Sequence, residues 1–209
     1  MSQIEAVVFD IGNVLIEWHP EKYYDKTIGQ ARREQMFAEV DLHAMNELVD
    51  LGHNFTDTIY GWADRYPDWR AEIRDWHDNW IELAQPTIEH SVTLLRALRA
   101  KSIPVFSLTN FGIESHAYAE TFYPFLTEFD RRYISGHMKV TKPDALIYQM
   151  LEDDSGVSPT GLLFTDDRVA NIEAANARGW QTHLFEGPQG WADRLVQEGL
   201  LSSQEASAQ

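Results

Sequence analysis

The chain has 209 residues, enough for one full domain and a smaller one, and 44% of them are hydrophobic, so a sizeable core is possible. Thirty-three acidic residues against 17 basic leave a formal net charge of -16, which argues against nucleic acid and anionic lipid as partners, because phosphates need clustered Lys and Arg. There is no cysteine, which excludes disulfides and thiolate metal sites, and no segment nears the roughly 18 apolar residues of a membrane helix.

Residues 1–5 hold neither a basic stretch nor an apolar run, so they do not read as a signal peptide, and a soluble, cytoplasmic protein is expected. Ile4 to Phe9 predicts a buried strand: short and apolar, with Val7, Val8 and Phe9 adjacent. It ends on Asp10, and Gly12 follows two residues later. From Pro20 to Ala84 the apolar spacing turns helical. Tyr24, Phe37, Met45, Leu48, Phe55, Ile59 and Trp62 recur at three- and four-residue steps, with breaks at Gly29, Gly52 and Pro67. Trp18, Trp62, Trp69, Trp76 and Trp80 lie in or near this region. The pattern predicts a small helical domain over 17–85, inserted between core segments 1–16 and 86–201.

After Pro86 the chain alternates. A helix is predicted over Ile88 to Leu98, a strand over Pro104 to Leu108, and a helical stretch over Ile113 to Phe129 that breaks near Pro124. A short strand at Arg132 to Ile134 precedes a proline-started helix over Pro143 to Asp154. Then come a strand at Leu162 to Thr165, a helix at Val169 to Arg178 stopped by Gly179, a strand at Thr182 to Phe185 and a helix at Gly190 to Leu200. This alternation predicts an α/β fold: a Rossmann-like, doubly wound parallel sheet covered on both faces. The polar residues 202–209 are expected to fray.

Three of the apolar strands end in polar groups: Asp10, Thr109-Asn110 and Asp166-Asp167. The carboxyl ends of strands in a doubly wound sheet converge on one crevice. Lys142 lies on a loop that can reach the same edge. A carboxylate there can attack a phosphoryl group. Crowded carboxylates call for a cation, and an oxygen-only donor set without Cys or His favours Mg²⁺. The plainer reading is that Thr109, Asn110 and the Asp166-Asp167 pair cap the helices that follow, a role compatible with binding an anion at a helix start.

The segments FDIGNVL, LTN, TKPDALIYQ and FTDDRVANIEAANARGW, in that order, resemble the four motifs of the haloacid dehalogenase (HAD) superfamily. The resemblance covers nearly the whole chain and has its insertion at the position of the type 1 helical cap. Its phrasing is similar to the branch of α-D-glucose-1-phosphate phosphatases and the N-terminal phosphatase domains of epoxide hydrolases. It implies that Asp10 is the nucleophile, Thr109 the phosphate-binding hydroxyl with Asn110 beside it, and Lys142 the neutralising lysine. It also implies Mg²⁺ held by Asp10, the Gly12 carbonyl, Asp166 and Asp167.

Most phosphatases of the superfamily carry a second Asp where this chain has Gly12, as general acid and base, although the branch resembled often has Gly. Losing such a group costs roughly 10²–10⁴-fold, unless the leaving group is good or another side chain substitutes. His19 or Asn13 with a water are the candidates from sequence. Trp18 and His19, where the chain enters the insertion, are the candidate substrate contacts, and His116 and His137 lie near the site loops. The expected activity is Mg²⁺-dependent hydrolysis of a small-molecule phosphate ester, a sugar phosphate among the options. The alternatives are a metal-free 2-haloacid dehalogenase, whose fourth motif usually carries Ser and Asn instead of the acidic pair, or a catalytically weak binding protein on the same scaffold.

Overall fold

The computed structural model describes residues 4–207. Strands β1 (Ala6–Phe9), β2 (Val105–Thr109), β3 (Arg131–Ile134), β4 (Leu162–Asp166) and β5 (Gln181–Leu184) form one parallel sheet in the order β3-β2-β1-β4-β5. β1 is central and wholly buried, which is why it reads as an unbroken apolar run. Its side chains still alternate. Val7 and Phe9 join Val105 and Leu163 in one core, while Ala6 and Val8 join Phe106, Leu108, Leu162 and Phe164 in the other. Phe9 stands in register between Ser107 and Thr165. These small neighbours leave room for its ring against Trp191 at 5.6 Å and Phe129 at 6.3 Å.

Helices α1 (Pro20–Thr27), α2 (Gln30–Glu39), α3 (Leu42–Asp50), α4 (Phe55–Arg65), α5 (Arg70–Asp78) and α6 (Trp80–Leu83) lie between β1 and β2. Gly29 and Gly52 take the positive φ values, +83° and +85°, that end one helix and start the next, and Pro67 opens a 3-10 turn before α5. Asp41 and Asn54 cap α3 and α4 by accepting the N–H groups of Ala44 and Asp57, each at 2.9 Å. The apolar faces of these helices, with Tyr24, Met45, Ile59 and Trp76, belong to the same core as Val7 and Phe9. Trp18 packs against Trp76 at 5.7 Å and Trp80 at 5.8 Å, fixing the entry of the chain into the insertion.

The remaining helices are α7 (Glu89–Ala100), α8 (Ile113–Phe122), α9 (Ser135–Met138), α10 (Ala145–Ser155), α11 (Val169–Ala177) and α12 (Pro188–Gln197). The chain builds β1, β2 and β3 outward in one direction, then crosses back to lay β4 and β5 on the other side of β1. The ends of β1, β2 and β4 therefore open on the switch point, where open α/β sheets bind ligands.

Two expectations need correction. Pro143 does not open α10: Asp144 caps that helix by accepting the Leu146 N–H at 2.8 Å, so the helix starts at Ala145. Residues 202–207 do not fray but turn back onto α7. His90 Nε2 donates to the Ala206 carbonyl at 2.8 Å, Lys101 pairs with Glu205 at 3.1 Å, and Ala206 is buried. Residues 1–3, 208 and 209 lie outside the described residues, and with them part of the expected leaderless start and of the expected tail.

Candidate active site

β1, β2 and β4 bring Asp10, Thr109 and Asp166 to one sheet edge, all buried. Lys142, on the loop between α9 and α10, reaches beneath them. Its Nζ lies 2.9 Å from Asp10 Oδ1 and 2.7 Å from Asp166 Oδ2, and it donates to the Leu108 carbonyl at 2.8 Å. An ammonium has three protons, and here each has an acceptor. Burial pulls the Lys142 pKa down, but Asp10 and Asp166 together raise it above its ordinary value. Asn110 holds the loop: its Nδ2 donates to the Lys142 carbonyl at 3.0 Å and its Oδ1 accepts the Lys142 N–H at 2.8 Å. Both halves of an amide expected to touch substrate thus serve to position the lysine.

The adjacent acids differ. Asp166 is fully buried and locked, accepting from Lys142, from the Arg168 N–H at 2.8 Å, and from Asn171 Nδ2 at 2.9 Å on both oxygens. Asp167 is half-buried and accepts from Asn13 Nδ2 at 3.0 Å. Asn13 also accepts the Trp18 N–H at 2.8 Å, so its amide bridges two segments. Oxygen atoms of Asp10, Asp166 and Asp167 all lie within 4.8 Å of one another. Burial raises the Asp10 pKa to about 7, with Asp166 and Asp167 adding to the rise and Lys142 opposing it. Burial raises Asp167 as well. Three carboxylates against one ammonium leave an excess of negative charge, and their all-oxygen donor set fits a hard divalent cation.

Above the cluster is a cavity of about 190 Å³. Asp10, Gly12, Thr109, Asn110, Lys142 and Asp167 line its floor; Trp18, Asn46, Asp50 and Trp80 line it from the insertion, with Phe111 and Ser115 beside them. His19 does not reach it. It precedes α1 and turns toward Glu17, 3.5 Å away. His116 is buried against Phe111, with its pKa lowered to about 4 chiefly by burial, and neither it nor His137 lines the cavity. The sequence reading missed Asn46, Asp50, Trp80 and Ser115. A signal for two of them existed: Asn46 and Asp50 are four residues apart, beside the inward-facing Met45 and Val49 on α3.

The profile of haloacid dehalogenase-like hydrolases matches residues 4–179, a stretch that holds every member of the cluster. The chain belongs to this family. A HAD family enzyme from Bacteroides thetaiotaomicron, crystallised with magnesium and inorganic phosphate, superposes with a TM-score of 0.63 at 19% identity, covering 88% of this chain and 95% of that one. The L-2-haloacid dehalogenase of Xanthobacter autotrophicus, with chloropropionic acid covalently bound, gives 0.61 at 16% identity over 97% and 87%. At such identities these structures show the shared fold alone. Drimenol cyclase of Aspergillus calidoustus is 24% identical over 192 residues, 87% of this chain and 34% of that protein, so this HAD hydrolase spans about a third of that relative's length. No helix among the described residues is long and apolar enough to cross a membrane.

Proposed function

We propose that this HAD hydrolase is a Mg²⁺-dependent phosphomonoesterase for a small phosphorylated metabolite, working through an aspartyl-phosphate on Asp10, with the inserted helices as its cap. The observation that carries the reading is the buried cluster in which Asp10 contacts Lys142 and lies within 4.8 Å of two further carboxylates. Asp10, Asp167 and the Gly12 carbonyl are the groups that would hold the cation, since Asp166 is already occupied by Lys142, Asn171 and a backbone N–H. Bound there, Mg²⁺ supplies the charge neutralisation that lets a carboxylate and a phosphate dianion approach.

The chain's own groups do the rest. Lys142 and the Thr109 hydroxyl, both lining the cavity, stabilise the equatorial phosphoryl oxygens, and Asp10 attacks phosphorus in line. Trp18, Trp80 and Phe111 give an apolar wall that suits a small carbon skeleton such as that of a sugar. The magnesium and phosphate bound to the Bacteroides HAD enzyme are consistent with this chemistry. Metal-free dehalogenation has less support, because nothing in that reaction calls for three carboxylates beside one lysine.

The test is phosphate release from p-nitrophenyl phosphate and a panel of sugar phosphates, with Mg²⁺ or EDTA, for wild type and Asp10→Asn. Metal-dependent turnover abolished by the substitution is expected. Halide release from 2-chloropropionate without metal, and no phosphate release, would decide for dehalogenation.

A further inference from the structure

Gly12 removes the second carboxylate that most related phosphatases use for proton transfer, so any such group must come from elsewhere in the cavity. We propose that Asp50, at the end of α3, is the acid and base of this site, a reading that rests on the phosphatase function above. Four carboxylates line the cavity. Asp10 is engaged by Lys142, Asp167 is one of the floor groups that would hold the cation, and Glu17 is engaged by Lys22 at 3.3 Å and His19 at 3.5 Å. Asp50 has one side-chain partner among the described residues, the neutral amide of Asn46, which donates to Oδ2 at 3.0 Å. Its Oδ1 accepts no hydrogen bond among the described residues.

The backbone under Asp50 is fixed to the core. Ser135 Oγ donates to the Asp50 carbonyl at 2.6 Å and accepts the Phe111 N–H at 2.9 Å, while Lys139 Nζ donates to the Gly52 carbonyl at 2.8 Å. The end of α3 that carries the carboxyl is therefore tied to the segments that follow β2 and β3. A carboxylate in the last turn of a helix opposes the macrodipole, so the position does nothing for helix stability. Burial raises the Asp50 pKa to about 8, with Asp10 from the floor and Glu47 from its own helix adding to the rise. Lys142 opposes this more weakly, Lys139 is turned to the Gly52 carbonyl, and Asp167 and Arg168 share the cavity with opposite charges. A group protonated at neutral pH is suited to donate.

In the first step Asp10 bonds to phosphorus as the ester P–O bond breaks. The electron pair stays on the leaving oxygen and the Asp50 proton joins it, giving the alcohol and an Asp50 carboxylate. In the second step water adds to phosphorus and loses a proton to Asp50, the bond to Asp10 breaks, and inorganic phosphate leaves with both carboxyls restored to their starting states.

The experiment is rapid-quench measurement of phosphoenzyme formation by wild type, Asp50→Asn and Asp50→Glu with Mg²⁺, using an alkyl phosphate (glycerol 2-phosphate) and 2,4-dinitrophenyl phosphate. An alkoxide needs the proton and a dinitrophenolate does not. The Asn variant is expected to lose roughly 10²-fold or more on the alkyl ester and no more than roughly threefold on the aryl ester. The wild-type rate on the alkyl ester falls above about pH 8, a limb absent in the Asn variant, and the Glu variant recovers part of the loss. Equal losses on both esters, or an unchanged pH limb, would overturn the assignment with the phosphatase reading intact. A wild type that forms no phosphoenzyme from either ester would overturn that reading and this inference with it. Thermal unfolding separates a folding defect from these outcomes, since Asp50→Asn keeps the side chain's shape and an acceptor for Asn46 and should not lower the midpoint.

Discussion

Lys142 is buried between two acids, and its Nζ contacts are all within 2.9 Å. Taking one partner from a buried charge cluster is costlier than never having built it, because the remaining charges keep their desolvation without compensation. Lys142→Met keeps most of the side-chain volume and leaves Asp10 and Asp166 facing each other. In EDTA at neutral pH it is expected to lower unfolding stability by about 3–5 kcal/mol, and with Mg²⁺ present to abolish phosphate release. Urea unfolding at two pH values checks the cause. Because Lys142 holds down an Asp10 pKa that stands at about 7, its removal lets that pKa rise further, and the loss should be larger near pH 9 than at neutral pH, where the carboxyl takes up a proton. A loss independent of pH would mean that Lys142 acts through packing alone. The residues of this cluster were legible in the sequence because each ends an apolar strand or sits on a loop beside one. Asn110 and His19 were legible as neighbours of the site, but not in their geometry. A polar side chain next to a strand end can line the cavity and still spend its hydrogen bonds on holding a loop, as Asn110 does.

At the scale of elements, the cavity depends on how α3 sits against the loop after β2. Gly112 makes this approach possible: a Cβ there would meet the Val49 side chain, with Ser115 Oγ at 2.8 Å and the Val49 carbonyl at 3.1 Å. Gly112→Ala should therefore push α3 outward and carry Asn46 and Asp50 with it. Overpacking of this kind costs about 1–3 kcal/mol, read as a lower thermal midpoint, and kcat should fall while Mg²⁺ binding by the floor stays intact. Wild-type kcat in the Ala variant would show that α3 can relax without moving its polar face. β1, β2 and β4 were readable because strands buried on both faces appear as short apolar runs, and α3 was readable as a helix from its spacing. Its docking was not. The contact runs through Ser135 on α9, a four-residue helix too short for any periodic signal, and through chain positions 85 residues apart. Pro143 misled for a local reason: it fits the first turn of a helix, but Asp144 after it is a true cap.

For the molecule as a whole, charge and burial set a dependence on pH that the bound cation should reverse. Asp10 and Asp50 move from an ordinary 3.8 to about 7 and about 8 in the folded chain. Between these limits the folded state holds protons that the unfolded chain has released, so stability falls as pH rises, and the loss is complete above about pH 8. His116 acts in the opposite sense. Its pKa drops from 6.5 to about 4, so the unfolded chain binds the extra proton and stability rises with pH across that range. The two effects oppose each other up to pH 6.5, and above it the carboxyls act alone. In EDTA the thermal midpoint is therefore expected to decline from pH 6.5 to 8. Mg²⁺ binds the ionised form, so the increment it adds should grow over the same interval. Asp10→Asn should flatten the decline and remove most of the increment. Monovalent salt screens the general repulsion of a chain at -16 and should raise the midpoint at every pH without removing the slope, as Mg²⁺ is expected to do. A Mg²⁺ increment equal at pH 6.5 and 8, or reproduced by salt, would mean that the cation binds the acidic surface rather than the Asp10 and Asp167 floor.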